Sequence, residues 1–204
     1  MLERERLFER SFYVLDVETN GFKHNEPLQI GAILYDDGVE EDIYNQYFLS
    51  EHGSTREALR VHGLNTTKLK EMKATRFSKT QAMGLMRFLN QRKQLPITSF
   101  NVRYDRDKVL MPAFKGLDLG EMNAAYDRWR CAQELCKRTK NWRLWSLDDA
   151  LEHFGYRRRE EDAFHDALDD ARLTAKVYMQ AVRLHPLKDC DLGFIKSRSM
   201  QCTK

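Results

Sequence analysis

Two acids, Asp16 and Glu18, stand two residues apart inside the apolar run Phe12-Tyr13-Val14-Leu15-Asp16-Val17-Glu18-Thr19. A run of this length with β-branched and aromatic members predicts a buried strand. Side chains two apart on a strand share a face, so the two carboxylates are expected side by side. Unpaired, they would repel each other and resist burial. A divalent cation between them removes the conflict, and hard oxygen ligands suit Mg²⁺ or Mn²⁺. The other reading of this stretch is that the acids pair with Arg or Lys, or simply end the strand.

A second concentration of acids lies near the end of the chain, in His165-Asp166-Ala167-Leu168-Asp169-Asp170. On one continuous helix, at about 100° per residue, His165 and Asp170 would stand about 140° apart and could not share a face. The Asp166-x-x-Asp169 spacing suggests that Asp166 is an N-cap with Asp169 near the third helical position. His165 then falls in the preceding loop, free to reach over the same site as Asp170. Asp166 and Asp169 read as helix N-terminus chemistry, whereas Asp170 lies beyond the capping positions. A third candidate, Asp105, follows Asn101-Val102-Arg103-Tyr104 where an apolar strand enters a helix. Asp107 has no partner pattern and reads as solvated.

The elements that must position these residues follow from the patterning. Residues 1–10 alternate in charge and read as a solvated helical lead-in. After Asn20-Gly21, a turn signal, Leu28–Tyr35 reads as a second strand. Asp36-Asp37-Gly38 makes a hairpin turn, and Ile43–Leu49 a third strand, giving an antiparallel meander. Ser54-x-x-Glu57 and Ser78-x-x-Gln81 both fit capping boxes, the second leading Met83, Met86 and Leu89 at helical spacing. Leu95–Phe100 reads as a fourth strand. A helix starting near Tyr104 meets Pro112, which should kink or stop it. Trp129–Ala132 reads as either a short strand or a helix start. Ser146-x-x-Asp149 opens a helix that closes at Gly155. A last helix spans about 166–183, with Leu168, Ala171, Ala175, Tyr178 and Val182 on one face. Strands first and helices after point to an α/β mixed sheet covered by helices.

The composition allows one substantial domain in 204 residues, with 42% hydrophobic and 32% charged residues arguing against disorder. We expect a lead-in over 1–11, the domain over 12–183 and a polar tail over 184–204. No apolar run is long enough for a bilayer, and no signal-peptide pattern occurs, so a cytoplasmic protein without a membrane partner is expected. A net charge of +3 permits a nucleic-acid partner without demanding one. Cys131, Cys136, Cys190 and Cys202 have no C-x-x-C spacing, which favours reduced thiols over zinc or disulfides.

Taken together, Asp16-Val17-Glu18-Thr19, Asn101-x-x-x-Asp105 and His165-x-x-x-x-Asp170 resemble the three motifs of the DEDDh (DnaQ-like) 3′–5′ exonucleases, the group of RNase T and the proofreading exonuclease subunits. Asp16–Phe22 resembles the opening of RNase T, Gln29–Ile33 the second strand, and His62-Gly63-Leu64 the family's H-G-I loop. Trp129-x-Cys131 and Leu144–Gly155 resemble the segments before the last motif, so the resemblance spans roughly residues 12–183. The chain departs from the pattern at Phe100, where His is frequent, at Tyr104, where Phe is usual, and at Gln29, where an acid is common. The tyrosine-type variant would need Tyr at position 166, which is Asp, so the histidine type is indicated.

The resemblance implies an RNase H-like fold, with antiparallel and parallel strands in one sheet. It implies two divalent cations, Mg²⁺ or Mn²⁺, held by Asp16, Glu18, Asp105 and Asp170, with His165 taking the proton from the attacking water. It further implies substrate contacts at Thr19, Phe22, His62, Asn101 and Tyr104. Phe22 and Tyr104 would stack on the last bases, although Phe22 also reads as a core residue. Arg157-Arg158-Arg159 would either line the strand's path or form a solvated loop. The expected substrate is the 3′ end of single-stranded or frayed DNA. The alternatives are an RNA 3′ end or a non-catalytic binding module on the same fold. A DNA polymerase or a second copy of the chain are the candidate protein partners.

Overall fold

In the computed structural model of the protein, the described residues are 9–119, 127–139, 146–158 and 164–184. The central strand β1, Phe12–Thr19, is buried along its length except at Asp16, which keeps partial exposure. Its side chains alternate between two covered faces, and the aromatic pairs show which helix covers each. Phe12 packs on Tyr178 with ring centroids 4.6 Å apart, and Tyr13 packs on Phe88 at 5.5 Å. Tyr178 belongs to the long helix over Ala167–Leu184 and Phe88 to the helix over Lys79–Leu89, so these two helices lie on opposite faces. Asp16 and Glu18 share the parity of Phe12 and therefore point toward the long helix. Each fully buried Leu, Ile or Phe of this core contributes about 1.5–3 kcal/mol, enough to fix which face each strand presents.

Strand β2, Pro27–Asp36, runs antiparallel to β1 and is buried on both faces. The expected hairpin follows: Asp37 and Gly38 both have positive φ, 48° and 81°, the combination that matches strand twist in a two-residue turn. Strand β3 spans Val39–Leu49 and so begins four residues before the expected Ile43. Val39–Asp42 are exposed on both faces, so they carry no apolar alternation to announce a strand, and they are held by pairing with β2 and by side-chain bonds from Arg172, Arg92 and Gln91.

The sheet has the order β4-β3-β2-β1-β5-β6, with β4 at Thr75–Arg76, β5 at Ile97–Ser99 and β6 at Trp129–Cys131. Strands β5 and β6 join in parallel and β1 to β3 are antiparallel, so the sheet is mixed as expected. The fourth strand is shorter than Leu95–Phe100. Trp129–Ala132 turns out to be both of its alternatives: β6 passes directly into a helix at Ala132–Thr139.

Among the described residues, these α-helices flank the sheet: α1 Arg56–His62, α2 Thr66–Glu71, α3 Lys79–Leu89, α4 Met111–Gly116, α5 Ala132–Thr139, α6 Leu147–His153 and α7 Ala167–Leu184. Ser54 does not cap α1. Thr55 does, accepting from the Ala58 N–H, while the Ser54 hydroxyl donates to the Leu64 carbonyl. Ser78 is the N-cap of α3 but forms no capping box, because its hydroxyl meets the Gln81 side chain instead. Met83 points outward, and Ala82, Leu85, Met86 and Leu89 supply the buried face. Ser146 and Asp149 do form the reciprocal capping box of α6.

The helix expected near Tyr104 is π-helical over Arg103–Leu110 and runs into α4. Pro112 neither stops nor simply kinks it. It falls in the first turn of α4, where the missing N–H costs little. Of the lead-in, Glu9 and Arg10 are described and helical. Residues 1–8, Leu144, Arg159, Cys190, Cys202 and the tail beyond Leu184 lie outside the described residues.

Candidate active site

The site is built where three chain segments end side by side. Strand β5 lies parallel to β1 with Tyr13 opposite Ile97 and Val14 opposite Thr98. The chain leaving β5 at Ser99 therefore emerges beside Asp16 and turns into the π-helical segment, where the Tyr104 and Asp105 N–H groups donate hydrogen bonds to the Asn101 carbonyl. Ligand sites collect at such carboxyl ends of parallel strands. A π-helical turn is frequent at functional positions, and this one carries Asp105, buried to 4% exposure.

The third segment is the start of α7, and the residue pairing on β1 explains its position. Gly31 of β2 is the ladder partner of Asp16. A Cβ on Gly31 would stand 2.4 Å from the Leu168 amide nitrogen and 2.5 Å from the Ala167 carbonyl carbon. Only glycine lets the helix approach so closely. Gln29, the partner of Glu18, then ties the helix down: its Oε1 accepts from the Ala167 N–H at 3.1 Å, and its Nε2 donates to Asp166 Oδ2 at 2.8 Å. Tyr47 donates to the same Asp166 oxygen at 3.0 Å. Asp166 caps α7 through its other oxygen, accepting from Leu168 N–H at 2.9 Å. The amide at position 29 thus anchors the helix, a role sequence patterning did not disclose.

His165 sits in the loop before α7, its backbone N–H on the Val61 carbonyl at 2.9 Å. Its Nδ1 lies 2.8 Å from Asp170 Oδ2. The carboxylate can only accept, so Nδ1 carries the proton in the neutral ring and Nε2 has the free lone pair. The hydrogen bond to Asp170 raises the His165 pKa. His165 thus precedes α7, as expected, and meets Asp170 of the helix.

Asp16, Glu18, Asp105, Asp170 and His165 all border one cavity of about 430 Å³. Burial, followed by the charges of Asp105, Asp170 and Glu18, raises Asp16 well above the usual carboxylate range. Burial and then Asp170 push Glu18 up to about 7. Burial likewise takes Asp105 to about 7 against the opposing pull of the Ser99 hydroxyl and local amides. Asp170 is the exception. Burial would raise it, but the His165 hydrogen bond and the Arg158 guanidinium hold it below its ordinary value. Among the described residues, one ligand atom each from Glu18, His165 and Asp170 lie within 4.8 Å of one another. Crowded, half-neutralised carboxylates with hard oxygens are a donor set suited to divalent cations.

The remaining predicted positions divide into rim and support. Phe22 is 83% exposed, which removes it from the core, and its ring meets the Tyr104 edge with centroids 5.5 Å apart. The Tyr104 hydroxyl lies 2.7 Å from Thr19 Oγ1. Asn101 also borders the cavity. His62 is buried, and both ring nitrogens engage backbone: Nδ1 accepts from the Leu64 N–H at 3.0 Å, so Nε2 donates to the Thr19 carbonyl at 3.0 Å. It props the end of β1 and has no ring nitrogen left for a substrate. Asp107 is not simply solvated, since it takes a 2.6 Å ion pair from Arg106 Nε. Within the arginine triplet, Arg157 is exposed, but Arg158 turns into the site, onto Asp170 and, through Nε at 2.6 Å, onto Asp148. Nothing in the run of three arginines singled out the middle one.

With this geometry in view, the exonuclease family model RNase_T matches residues 13–178. The chain belongs to this exonuclease family. Its match to the DNA polymerase III PolC-type of Thermotoga petrophila is 26% identical over 176 residues, 85% of this chain but only 12% of that protein. The corresponding protein of Thermotoga maritima is 25% identical over the same share. The chain thus spans about an eighth of the length of these curated relatives. Among solved structures, the fold is shared with the nuclease domain of 3'hExo, a DEDDh family member bound to rAMP, at a TM-score of 0.67 and 13% identity, covering 87% of this chain and 94% of that one. Exonuclease X in complex with 5' overhanging duplex DNA aligns at a TM-score of 0.65 and 12% identity, covering 89% and 97%. The expected mixed-sheet, RNase H-like fold is the fold of these exonucleases. No helix among the described residues is long and apolar enough to cross a membrane.

Proposed function

We propose that the protein is a metal-dependent 3′–5′ exonuclease that removes nucleoside monophosphates from the 3′ end of single-stranded or frayed DNA. The observation that carries this reading is the convergence of Asp16, Glu18, Asp105 and Asp170 with His165 on one cavity rimmed by Phe22 and Tyr104. The four carboxylates would hold two divalent cations, Mg²⁺ or Mn²⁺. When bound, the ions would supply Lewis acidity that activates water and neutralises charge on the phosphate and the leaving oxygen.

The chain's own groups do the rest. His165 takes the water proton at Nε2, and its Nδ1–H on Asp170 fixes that tautomer and stabilises the imidazolium that forms. The bond broken is the one between phosphorus and the 3′ oxygen, leaving a shortened strand with a 3′ hydroxyl. Phe22 and Tyr104 offer aromatic faces to the last bases, a sequence-tolerant grip. Thr19, held by His62 and Tyr104, and Asn101 face the terminal nucleotide.

The polymerase relatives favour DNA, whereas the fold shared with 3'hExo bound to rAMP favours the second reading, an exoribonuclease. Digestion of matched 5′-labelled DNA and RNA oligonucleotides with Mg²⁺ tests both. A ladder shortening from the 3′ end, faster on DNA, is expected. A faster RNA ladder selects the second reading, and shortening from the 5′ end refutes the polarity.

A further inference from the structure

Arg158 sits between two cavities. One is the carboxylate site, and the other, of about 340 Å³, is bordered by Asp148, Glu152, Tyr156 and Arg157. Its guanidinium reaches into the first. Nη1 pairs with Asp170 Oδ1, Nη2 donates to Asp170 Oδ2 at 3.0 Å, and Nη2 lies 3.5 Å from His165 Nδ1. Both Asp170 oxygens are thereby engaged. A divalent cation binding Asp170 in that geometry would sit against a fixed positive charge, in a place where little water screens the repulsion.

The other end of the side chain is tethered differently. Nε donates to Asp148 Oδ1 at 2.6 Å, and Asp148 lies in the first turn of α6, where it borders both cavities. One turn further along α6, four residues from Asp148, Glu152 borders the second cavity and is exposed. Residues four apart on a helix share a face. A guanidinium pivoting about its Asp148 bond could therefore leave Asp170 and find a second carboxylate waiting.

We infer that Arg158 is the resident cation of the metal-free site, exchanging its hold on Asp170 for the Asp148–Glu152 pocket when a divalent ion enters. This rests on the reading of the four carboxylates as metal ligands. The device explains why Asp170, unlike Asp16, Glu18 and Asp105, is ion-paired to an arginine among the described residues. It also sets a threshold on ion binding, because metal must displace a bidentate, charge-assisted pair before it is fully held.

Calorimetric titration of the full chain with Mg²⁺ tests the exchange without reference to turnover. Arg158→Met removes the competitor and should tighten Mg²⁺ roughly tenfold. Glu152→Gln removes the receiving carboxylate and should weaken Mg²⁺ by about two- to fivefold. In the Arg158→Met background, Glu152→Gln should have no effect, because the guanidinium it receives is gone. Unchanged or weaker Mg²⁺ binding in Arg158→Met overturns the exchange while leaving the metal reading intact. An equal Glu152→Gln effect in both backgrounds overturns the receiving pocket, since it would reflect only the general field. Absence of Mg²⁺ binding in both the unmodified chain and Arg158→Met overturns the metal reading and the exchange with it.

Discussion

Gly31 and Asp16 are directly paired across the antiparallel ladder of β1 and β2, and Gly31 is also where the backbone of α7 touches the sheet. One glycine therefore sets the distance between a carboxylate on the strand and the helix that brings Asp170. Gly31→Ala would place a methyl group 2.4 Å from the Leu168 nitrogen, an atom of backbone that cannot rotate aside. Overpacking of this kind costs about 1–3 kcal/mol. Thermal denaturation should show a lower Tm, and Mg²⁺ titration a weaker site even in the fraction that remains folded.

Metal-free protein should lose stability as pH rises through neutrality. Glu18 has a pKa near 7 in the folded chain against an ordinary 4.5, so the folded state binds this proton more tightly than the unfolded one. Its contribution is full below about 4.5 and is lost as pH climbs through about 7. Asp105, also raised to about 7, and Asp16 act in the same direction. Tm measured with chelator should fall between about pH 5 and pH 7.5, and Glu18→Gln should flatten that fall. Added Mg²⁺ should restore more Tm at the higher pH, where the carboxylates are free to bind it.

His62→Ala should destabilise the chain by about 1–3 kcal/mol, since it leaves the buried Leu64 N–H and Thr19 carbonyl without the ring that joins them. Its kinetic signature should be a raised KM, because the ring's hydrogen bonds support Thr19 and Leu64. Urea denaturation and steady-state kinetics on a labelled oligonucleotide check both parts.

Phe22→Ala separates binding from stability. With Phe22 83% exposed, its loss should leave the free energy of unfolding within about 0.5 kcal/mol of the starting protein. Stacking on one base is worth about 1–3 kcal/mol, so KM should rise roughly five- to a hundredfold if the ring grips the strand. An unchanged KM would assign Phe22 to the rim alone.

Much of this arrangement was legible in the sequence because it follows short-range rules. The alternation that buries Phe12 and Val14 also puts Asp16 and Glu18 on one face, and the Asp166 cap forces His165 off the helix and over Asp170. What escaped was long-range or lacked a pattern. The edge residues Val39–Asp42 are held by pairing and carry no apolar signal. The π-helical pitch around Asp105 is set by how the segment packs, since Arg103–Leu110 differs in no obvious residue preference from an α-helix. The anchoring of Asp166 by Gln29 joins residues 137 apart, and the support of Thr19 by Tyr104 joins residues 85 apart. Arg158 looks like its neighbours until the fold shows which of them turns inward.

The most direct test of the central claim is single-turnover cleavage of a 5′-labelled oligonucleotide by Asp16→Asn and Asp105→Asn, each at saturating Mg²⁺. Both changes keep size and hydrogen-bonding shape while removing the charge that would hold an ion. The account predicts a native circular dichroism spectrum with the cleavage rate reduced by roughly 10²–10³-fold or more. Cleavage by either variant at the rate of the unmodified protein would contradict it, because the carboxylate cluster would then have no part in the chemistry.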